Sequence, residues 1–241
     1  MSYEKSRLLA MTRKQLSIDM NCRPDDFLAS GVFLYPAREN EGRRLFDRQK
    51  PYLEAATMGK AVILSVDEGL IEKARPLVMD KTRDEIFSLP FIYGHSLYYL
   101  PDPERVGKLP APRGFQYILK EGRSIHELYA VNGFNNAIQY DENHPRPDVL
   151  VVYALAEDGI AGMAGASADS SLLWQIGIDV LVPYREKGLA AYLVSLLADE
   201  ILKRGKVPYY GTASSNIASQ ATAYRSGFFP AWMCSYKNLF T

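Results

Sequence analysis

The residues around position 188 are of the types that bind a diphosphate. The string Arg185-Glu186-Lys187-Gly188-Leu189-Ala190 stands between a strand pattern and a long amphipathic helix pattern. The first amides of a helix have no partner within the helix, and a neighbouring glycine lets a phosphate come close to them. Arg185 and Lys187 add cationic donors, although a lysine in such a turn can equally do no more than solvate it. The pattern predicts a phosphate-binding turn at residues 185–190.

Four elements must position this turn. A strand is predicted before it, at residues 174–182, and another after the helix, at residues 209–213. A short helix then begins at Asn216 and ends at Gly227. The long helix ends at a basic pair followed by glycine, as helices commonly do. Its apolar face is predicted to consist of Leu189, Leu193, Leu196, Leu197 and Ile201.

The composition limits the classes of partner. The chain has 241 residues, enough for one large domain or two small ones, and its 28 basic residues balance its 28 acidic ones. A net charge of zero gives no field that would favour nucleic acid or an anionic membrane. No apolar run approaches the ~20 residues of a membrane span, and residues 1–21 lack the apolar segment of a secretory signal. We expect a cytoplasmic protein with neither a nucleic acid nor a membrane as partner.

The cysteines and histidines form neither a disulfide framework nor a metal pattern. Cys22 and Cys234 lie far apart, so buried or free thiols are expected. His95, His126 and His144 lack the spacing of metal ligands, and we expect no metal cofactor. The sequence also contains no Walker phosphate loop, no Gly-x-Ser-x-Gly elbow and no dinucleotide fingerprint. Metal-dependent or serine-nucleophile chemistry is therefore not expected.

A stretch rich in proline and glycine, residues 108–114, is predicted to be a linker. It divides the chain into an N-terminal accessory α/β domain, residues 1–112, and a C-terminal domain, residues 113–241. Within the first domain the patterns predict helices at 12–20 and 69–79 and strands at 61–66 and 96–100.

The beginning of the second domain is predicted to contain helical pieces and a hairpin. The capping box Ser124-Ile125-His126-Glu127 would begin a helix, which Gly133 breaks before a second helical piece ending at Ile138. Asp158-Gly159 would form a two-residue hairpin turn. Two glycines of the second hairpin strand, Gly162 and Gly165, would let another backbone or a ligand come near. The strands are expected at residues 115–120, 149–156 and 160–168.

From Asp179 to Phe228 the sequence resembles the coenzyme-binding core of the GNAT superfamily of N-acetyltransferases. The matching residues are Val180, Arg185-x-x-Gly188-x-Ala190, Asn216 and Gly227-Phe228. An Arg-x-x-Gly-x-Ala string alone is common; the order of strand, turn, helix, strand, asparagine and helix is specific. The resemblance covers about residues 113–241. It implies an α+β fold, with a mostly antiparallel mixed sheet flanked by helices, in addition to the N-terminal α/β domain.

The resemblance also implies a site for acetyl-coenzyme A as co-substrate. The strand that ends at residues 180–182 would splay from the strand at residues 209–213, and the pantetheine arm would pair with its exposed backbone. The small side chain of Ala190 would keep the phosphates close to the helix, and Asn216 would hydrogen-bond the arm. The residues predicted to bind the coenzyme are Val180, Leu181, Val182, Arg185, Lys187, Gly188, Leu189, Ala190, Asn216 and Ser219.

The activity implied is transfer of an acetyl group from acetyl-coenzyme A to a primary amine by direct attack. Asp179 is the candidate base, and its alternative role is to order the splayed strand or to bind a substrate cation. Many family members carry a tyrosine as the acid four residues before the glycine of Gly-Phe, but Ala223 stands there. Tyr224 follows one residue later, turned by ~100° on a helix. It is the candidate acid, and its alternative role is packing against the sheet. Other tyrosines, including Tyr184, Tyr209 and Tyr210, could substitute for it from elsewhere in the fold.

Three questions stay open from the sequence. The acceptor is an unidentified small molecule or a peptide amine. The protein could instead use a longer acyl chain or a hydroxyl acceptor, or be a non-catalytic acyl-coenzyme A-binding regulatory or scaffold module. Only residues 232–240 remain for strands after Gly-Phe, so the final strand is missing, or the sheet edge is covered by the N-terminal segment or by a neighbouring subunit in a homodimer.

Overall fold

The computed structural model describes residues 4–46 and 50–238. Short 3-10 helices lie at Pro24–Leu28, Glu68–Leu70, Gly122–Ala130 and Val182–Tyr184. In chain order the longer elements are α1 (Lys5–Met20), β1 (Gly31–Pro36), β2 (Leu53–Thr57), β3 (Ala61–Val66), α2 (Ile71–Val78), α3 (Arg83–Phe87), β4 (Ile92–Pro101), β5 (Gln116–Glu121), β6 (Asp148–Ala156), β7 (Gly159–Ala168), β8 (Leu173–Val180), α4 (Leu189–Lys203), β9 (Val207–Ala213), α5 (Ile217–Arg225) and β10 (Phe228–Asn238).

The chain forms two compact units. Of the described residues, the first unit contains 4–8, 99–211 and 217–229, and the second contains 9–46, 50–98, 212–216 and 230–238. Of the helices in the described residues, none is both long and apolar enough to cross a membrane.

The first unit contains a mixed sheet in the order β9-β8-β7-β6-β5. β8 and β9 are parallel, and the other neighbours are antiparallel. α4 packs on β6, β7 and β8, with Leu189, Leu193, Leu197 and Ile201 buried and Leu196 only partly buried. Burial of each such leucine side chain contributes roughly 1.5–3 kcal/mol to the stability of the fold. The predicted α+β class with a mostly antiparallel mixed sheet is confirmed.

The second unit has its own strands and core. β3 pairs in parallel with β1 and antiparallel with β2, and β2 pairs antiparallel with β10 from Met233↔Thr57 to Ser235↔Ala55. The N-terminal segment thus supplies a neighbour for the C-terminal strand, which is one of the three arrangements left open by the sequence. Residues 239 and 240 of that predicted segment lie outside the described residues. Cys22 and Cys234 are free thiols, and Cys234 is buried.

Two local predictions about where elements begin and end are wrong. α1 begins at Lys5, so Thr12 lies inside the helix and is buried. The hairpin turn is Glu157-Asp158, because Gly159 already pairs with Ala156 in the ladder. Because the positive φ of Gly159, 129°, occurs inside the strand, it does not define the turn.

The two α-helices predicted between residues 124 and 138 are also absent from the described chain. A 3-10 helix, Gly122–Ala130, occupies the first position, and Ser124 lies within its first turn, where its hydroxyl contacts the amide and carbonyl of Glu121. Residues 133–138 are irregular, with a turn at 135–137. Carboxylates of the sheet accept hydrogen bonds from the amides of Asn136 and Gln139, and this competes with helix formation.

The 133–138 segment, here called the sheet loop, lies directly on β7 and β8. A Cβ atom at Gly165 would lie 1.8 Å from the carbonyl oxygen of Ala137, and one at Gly177 would lie 1.7 Å from that of Asn136. The prediction that Gly165 admits another backbone is therefore correct. The space beside it is filled, and the neighbours of a Cβ at Gly162 would be the side chains of Val180 and Leu189.

Gly165→Ala should lower the free energy of unfolding by roughly 1–3 kcal/mol, because the sheet loop must move to admit the methyl group. Gly69→Ala is the control, since a Cβ there meets nothing within 4 Å and the backbone is not left-handed. Its stability should stay within about 1 kcal/mol of the parent. Urea denaturation measures both, and equal stability of the two variants would contradict the packed loop.

Candidate active site

The strands β8 and β9 separate after four residue pairs. Their parallel register runs from Leu173↔Val207 to Ile176↔Tyr210. β8 continues to Val180 in full register with β7. In the described part of the chain, residues 177–180 therefore have a strand on one side only. We call this opening the fork; its free backbone groups can pair with an extended ligand.

The turn after β8 holds two residues in the left-handed conformation. Glu186 has φ 63°, and Gly188 has φ 77° and ψ 1° at the start of α4. The amide of Arg185 donates to the carbonyl of Val182, and the first helical bond runs from the amide of Tyr192 to the carbonyl of Gly188. Residues 186–191 lie between these two donors, and within the described residues their amides have no protein acceptor. Such a run of free amides at a helix N-terminus attracts anions.

The side chains around this turn leave it open. A Cβ at Gly188 would meet nothing within 4 Å, so glycine is favoured there by its positive φ and not by crowding. The first turn of α4 contains no acidic residue, which leaves the positive end of the helix unopposed. Val182 is exposed, and the Lys187 ammonium lies 5.4 Å from the ring centroid of Tyr184. Arg185 donates from Nε to the carbonyl of Val180 at 3.0 Å.

Helix α5 begins directly after Asn216, an exposed residue whose amide donates to the carbonyl of Ala213. One turn later, Ser219 lies with its hydroxyl 2.8 Å from that of Tyr210 on β9. This pair links the first turn of α5 to the strand position at which the fork opens.

The family comparison decides what this arrangement is. Residues 118–228 match the sequence model of the acetyltransferase (GNAT) family. Residues 118–228 form a GNAT domain. The match contains the fork, the 185–190 turn, α4 and α5. A search of curated proteins gave no significant match to the chain.

Three solved structures are similar to the chain. They are a GNAT-family protein from Novosphingobium aromaticivorans (20% identity, 59% of this chain and 63% of that one, TM-score 0.43), a GCN5-related N-acetyltransferase from Kribbella flavida (13%, 64% and 62%, 0.46) and a GCN5-related N-acetyltransferase-like protein from Streptococcus suis (15%, 97% and 100%, 0.46). The chain thus spans about three fifths of the length of the first two. With TM-scores below 0.5, the assignment of the GNAT domain rests on the family match.

Asp179 fastens the sheet loop to β8. Its Oδ2 accepts from the amides of Asn136 at 2.7 Å and Ala137 at 3.1 Å, and its Oδ1 accepts from Nδ2 of Asn136 at 2.6 Å. Asp179 shares a strand face with Gly177, against which the same loop packs. These contacts favour the ordering role that the sequence left open, and the role of Asp179 as base stays a prediction.

A second carboxylate holds the end of the sheet loop, and sequence reasoning missed it. Asp148, at the start of β6, accepts from the amide of Gln139 and from the hydroxyl of Tyr129, both at 2.8 Å. Burial raises the pKa of Asp148, and these two hydrogen bonds act in the opposite direction. The pKa of Tyr129 is raised by burial and by Asp148. Asp148 follows a proline-rich loop and carries no local motif.

Tyr224 points away from the interior of the GNAT domain. Its side chain is 62% exposed, and the guanidinium of Arg105 lies 5.0 Å from its ring centroid. Arg105 also donates to the carbonyl of Tyr224. The preceding residue, Ala223, is fully buried. The acid role of Tyr224 stays a prediction, and its ring does not pack against the sheet, because it lies over Arg105 at the surface.

No group of three or more histidine, cysteine, aspartate or glutamate side chains suited to a metal occurs among the described residues.

His144 lies in the loop before β6, where its Nδ1 contacts the backbone of Arg146.

Asp179→Ala should speed hydrogen exchange at the amides of Asn136 and Ala137 by roughly 10–100-fold, because it removes hydrogen bonds to a charged acceptor. Asp84→Ala is the control; its carboxylate is exposed and paired with Arg83. Exchange mass spectrometry on peptides covering the sheet loop measures the effect. Unchanged exchange in Asp179→Ala would contradict the anchoring role.

Proposed function

We propose that the protein transfers an acetyl group from acetyl-coenzyme A to the primary amine of a small molecule or peptide. The observation that carries this proposal is the run of free amides at residues 186–191 beside the open edge of β8. A diphosphate with an extended arm fits both features, because the amides take the phosphates and the strand edge pairs with the arm.

We propose that the donor lies along the end of β8 and the start of α4. Gly188, Leu189 and Ala190 would present amides to the diphosphate, with Arg185 and Lys187 as cationic donors. To pair with the carbonyl of Val180, the arm would displace Nε of Arg185, which is then available to a phosphate. Backbone groups of Leu181 and Val182 extend the strand edge, and Ser219 would contact the arm from the first turn of α5.

The amine attacks the thioester carbonyl directly, without a covalent enzyme intermediate. The new C–N bond forms, the C–S bond breaks, the amine loses a proton and the sulfur gains one. A free amine with a pKa near ~10.4 must be neutral to attack, so a base or a water chain assists. Asp179 is proposed as the base, and its contacts also support a positioning role. Tyr224 is one of the candidate acids.

A second candidate function is a coenzyme-binding module without catalysis. Two residues of α5 favour it. The position at which many family members carry the acid tyrosine is the buried Ala223, and the neighbouring Tyr224 points to the surface. A longer acyl chain gains no support, because the space beside Gly162 and Gly165 is filled.

Thiol release from acetyl-coenzyme A across a panel of primary amines distinguishes the candidates. The transferase requires release that depends on the amine, with the acetylated amine detected by mass spectrometry. Binding of the coenzyme without release on the whole panel would contradict the transferase and support the binding module.

Gly188→Trp should weaken binding of coenzyme A by at least about tenfold, equivalent to 1.4 kcal/mol, because the side chain projects over the free amides. Gly114→Trp is the matched control. Gly114 also has a positive φ, 86°, and open space around it, but lies outside the turn. Calorimetric titration measures both variants, and equal affinity would refute the assignment of the phosphate turn.

A further inference from the structure

Breaking the thioester leaves negative charge on sulfur, and a nearby hydroxyl would supply the proton that sulfur needs. The hydroxyl must lie where the arm ends, at the closed end of the fork. Tyr210 is at that point, because Ile176↔Tyr210 is the last pair of the β8–β9 register.

Tyr210 points toward the face that carries α5. Paired residues of parallel strands share a face, so Tyr210 lies on the face of Ile176 and opposite Asp179. Its side chain is 4% exposed, its ring lies edge-on to Phe228 with centroids 6.3 Å apart, and its hydroxyl lies 2.8 Å from Oγ of Ser219. Strand and helix together hold the hydroxyl in one place.

Two other tyrosines near the fork have hydroxyls bonded to carboxylates. Tyr209 donates to Asp169 on the opposite face, and Tyr184 donates to Asp158. Tyr224 lies at the surface over Arg105. Tyr210 differs from them, because its partner Ser219 is itself a hydroxyl that can donate or accept.

We propose that Tyr210, relayed by Ser219, is the group that protonates the sulfur of coenzyme A as it leaves; this rests on the proposed function. As the C–S bond breaks, its electron pair goes to sulfur, and the Tyr210 hydroxyl gives its proton to form the thiol. The tyrosinate regains a proton through Ser219 from solvent, and solvent receives the proton released by the amine. Atoms and charge therefore balance.

The surroundings keep Tyr210 protonated until it is needed. Burial raises its pKa, the hydrogen bond from Ser219 lowers it, and the negative charge of Asp179 raises it. The group is neutral below its folded-state pKa, which includes the neutral range. Asp179 thus acts on Tyr210 across the fork while it holds the sheet loop.

Tyr210→Phe keeps the ring against Phe228 and removes only the hydroxyl. We expect kcat to fall by roughly 100-fold, within the range of general acid catalysis, while the affinity for coenzyme A changes less than about threefold. Ser219→Ala should lower kcat by about fivefold, the effect of one neutral hydrogen bond. The control is Tyr117→Phe on β5. It removes a hydroxyl that donates to the carbonyl of Pro112, and it should keep the parental rate.

A second measurement needs no turnover. Ultraviolet titration of bound coenzyme A, with the desulfo-coenzyme A complex as blank, gives the pKa of the bound thiol. A hydrogen bond from Tyr210 stabilises the thiolate, so this pKa should be higher in Tyr210→Phe than in the parent. Parental kcat together with an unchanged thiol pKa in Tyr210→Phe overturns the proposal, as does loss of rate in Tyr224→Phe alone. If no amine is acetylated, the proposed function fails, and the titration still decides the role of Tyr210.

Discussion

The separation of β8 from β9 after four residue pairs is the constraint on which the GNAT domain depends. Full pairing along β9 would satisfy the backbone of residues 177–180 and leave no edge for a ligand. β7 holds β8 straight on its other side, so the strand can lose one neighbour without losing its direction. The amide-rich turn follows from the same geometry, because the chain must leave the free end of β8 to enter α4. The fork thus fixes where an extended ligand would lie and where its diphosphate would end.

The strong periodic elements could be predicted from sequence, and the weak ones could not. β3 and α4 lie at their predicted positions because an apolar run bounded by turns and a face repeated every three or four residues depend on burial alone. The region 124–138 was predicted as two helices from a capping box, a signal that reports only on its neighbours along the chain. Its amides at Asn136 and Ala137 bond to Asp179, and the amide of Gln139, directly after it, bonds to Asp148. Neither carboxylate is part of a local sequence pattern around these amides.

The candidate site shows the same division. The 185–190 turn could be predicted because its glycine, its basic residues and the helix start are adjacent in sequence. The directions of Asp179 and Tyr210 depend on which strand face each occupies and on what packs there. Tyr224 follows directly after Ala223, the position at which many family members carry the acid tyrosine. One step along the helix is enough to turn its side chain to the surface. Sequence spacing predicted the turn and the start of its helix, and tertiary packing decides on which face of the sheet each side chain lies.

Gly165 and Gly177 have a consequence for how this domain can diversify. Main-chain oxygens of the sheet loop occupy the volume that a side chain at either glycine would need. Neither glycine can therefore be substituted unless the loop moves. Lengthening the segment would lift its carbonyls from the glycines and strip Asp179 of its donors. Related chains that keep these two glycines should therefore keep the length of this segment and differ in its outward side chains.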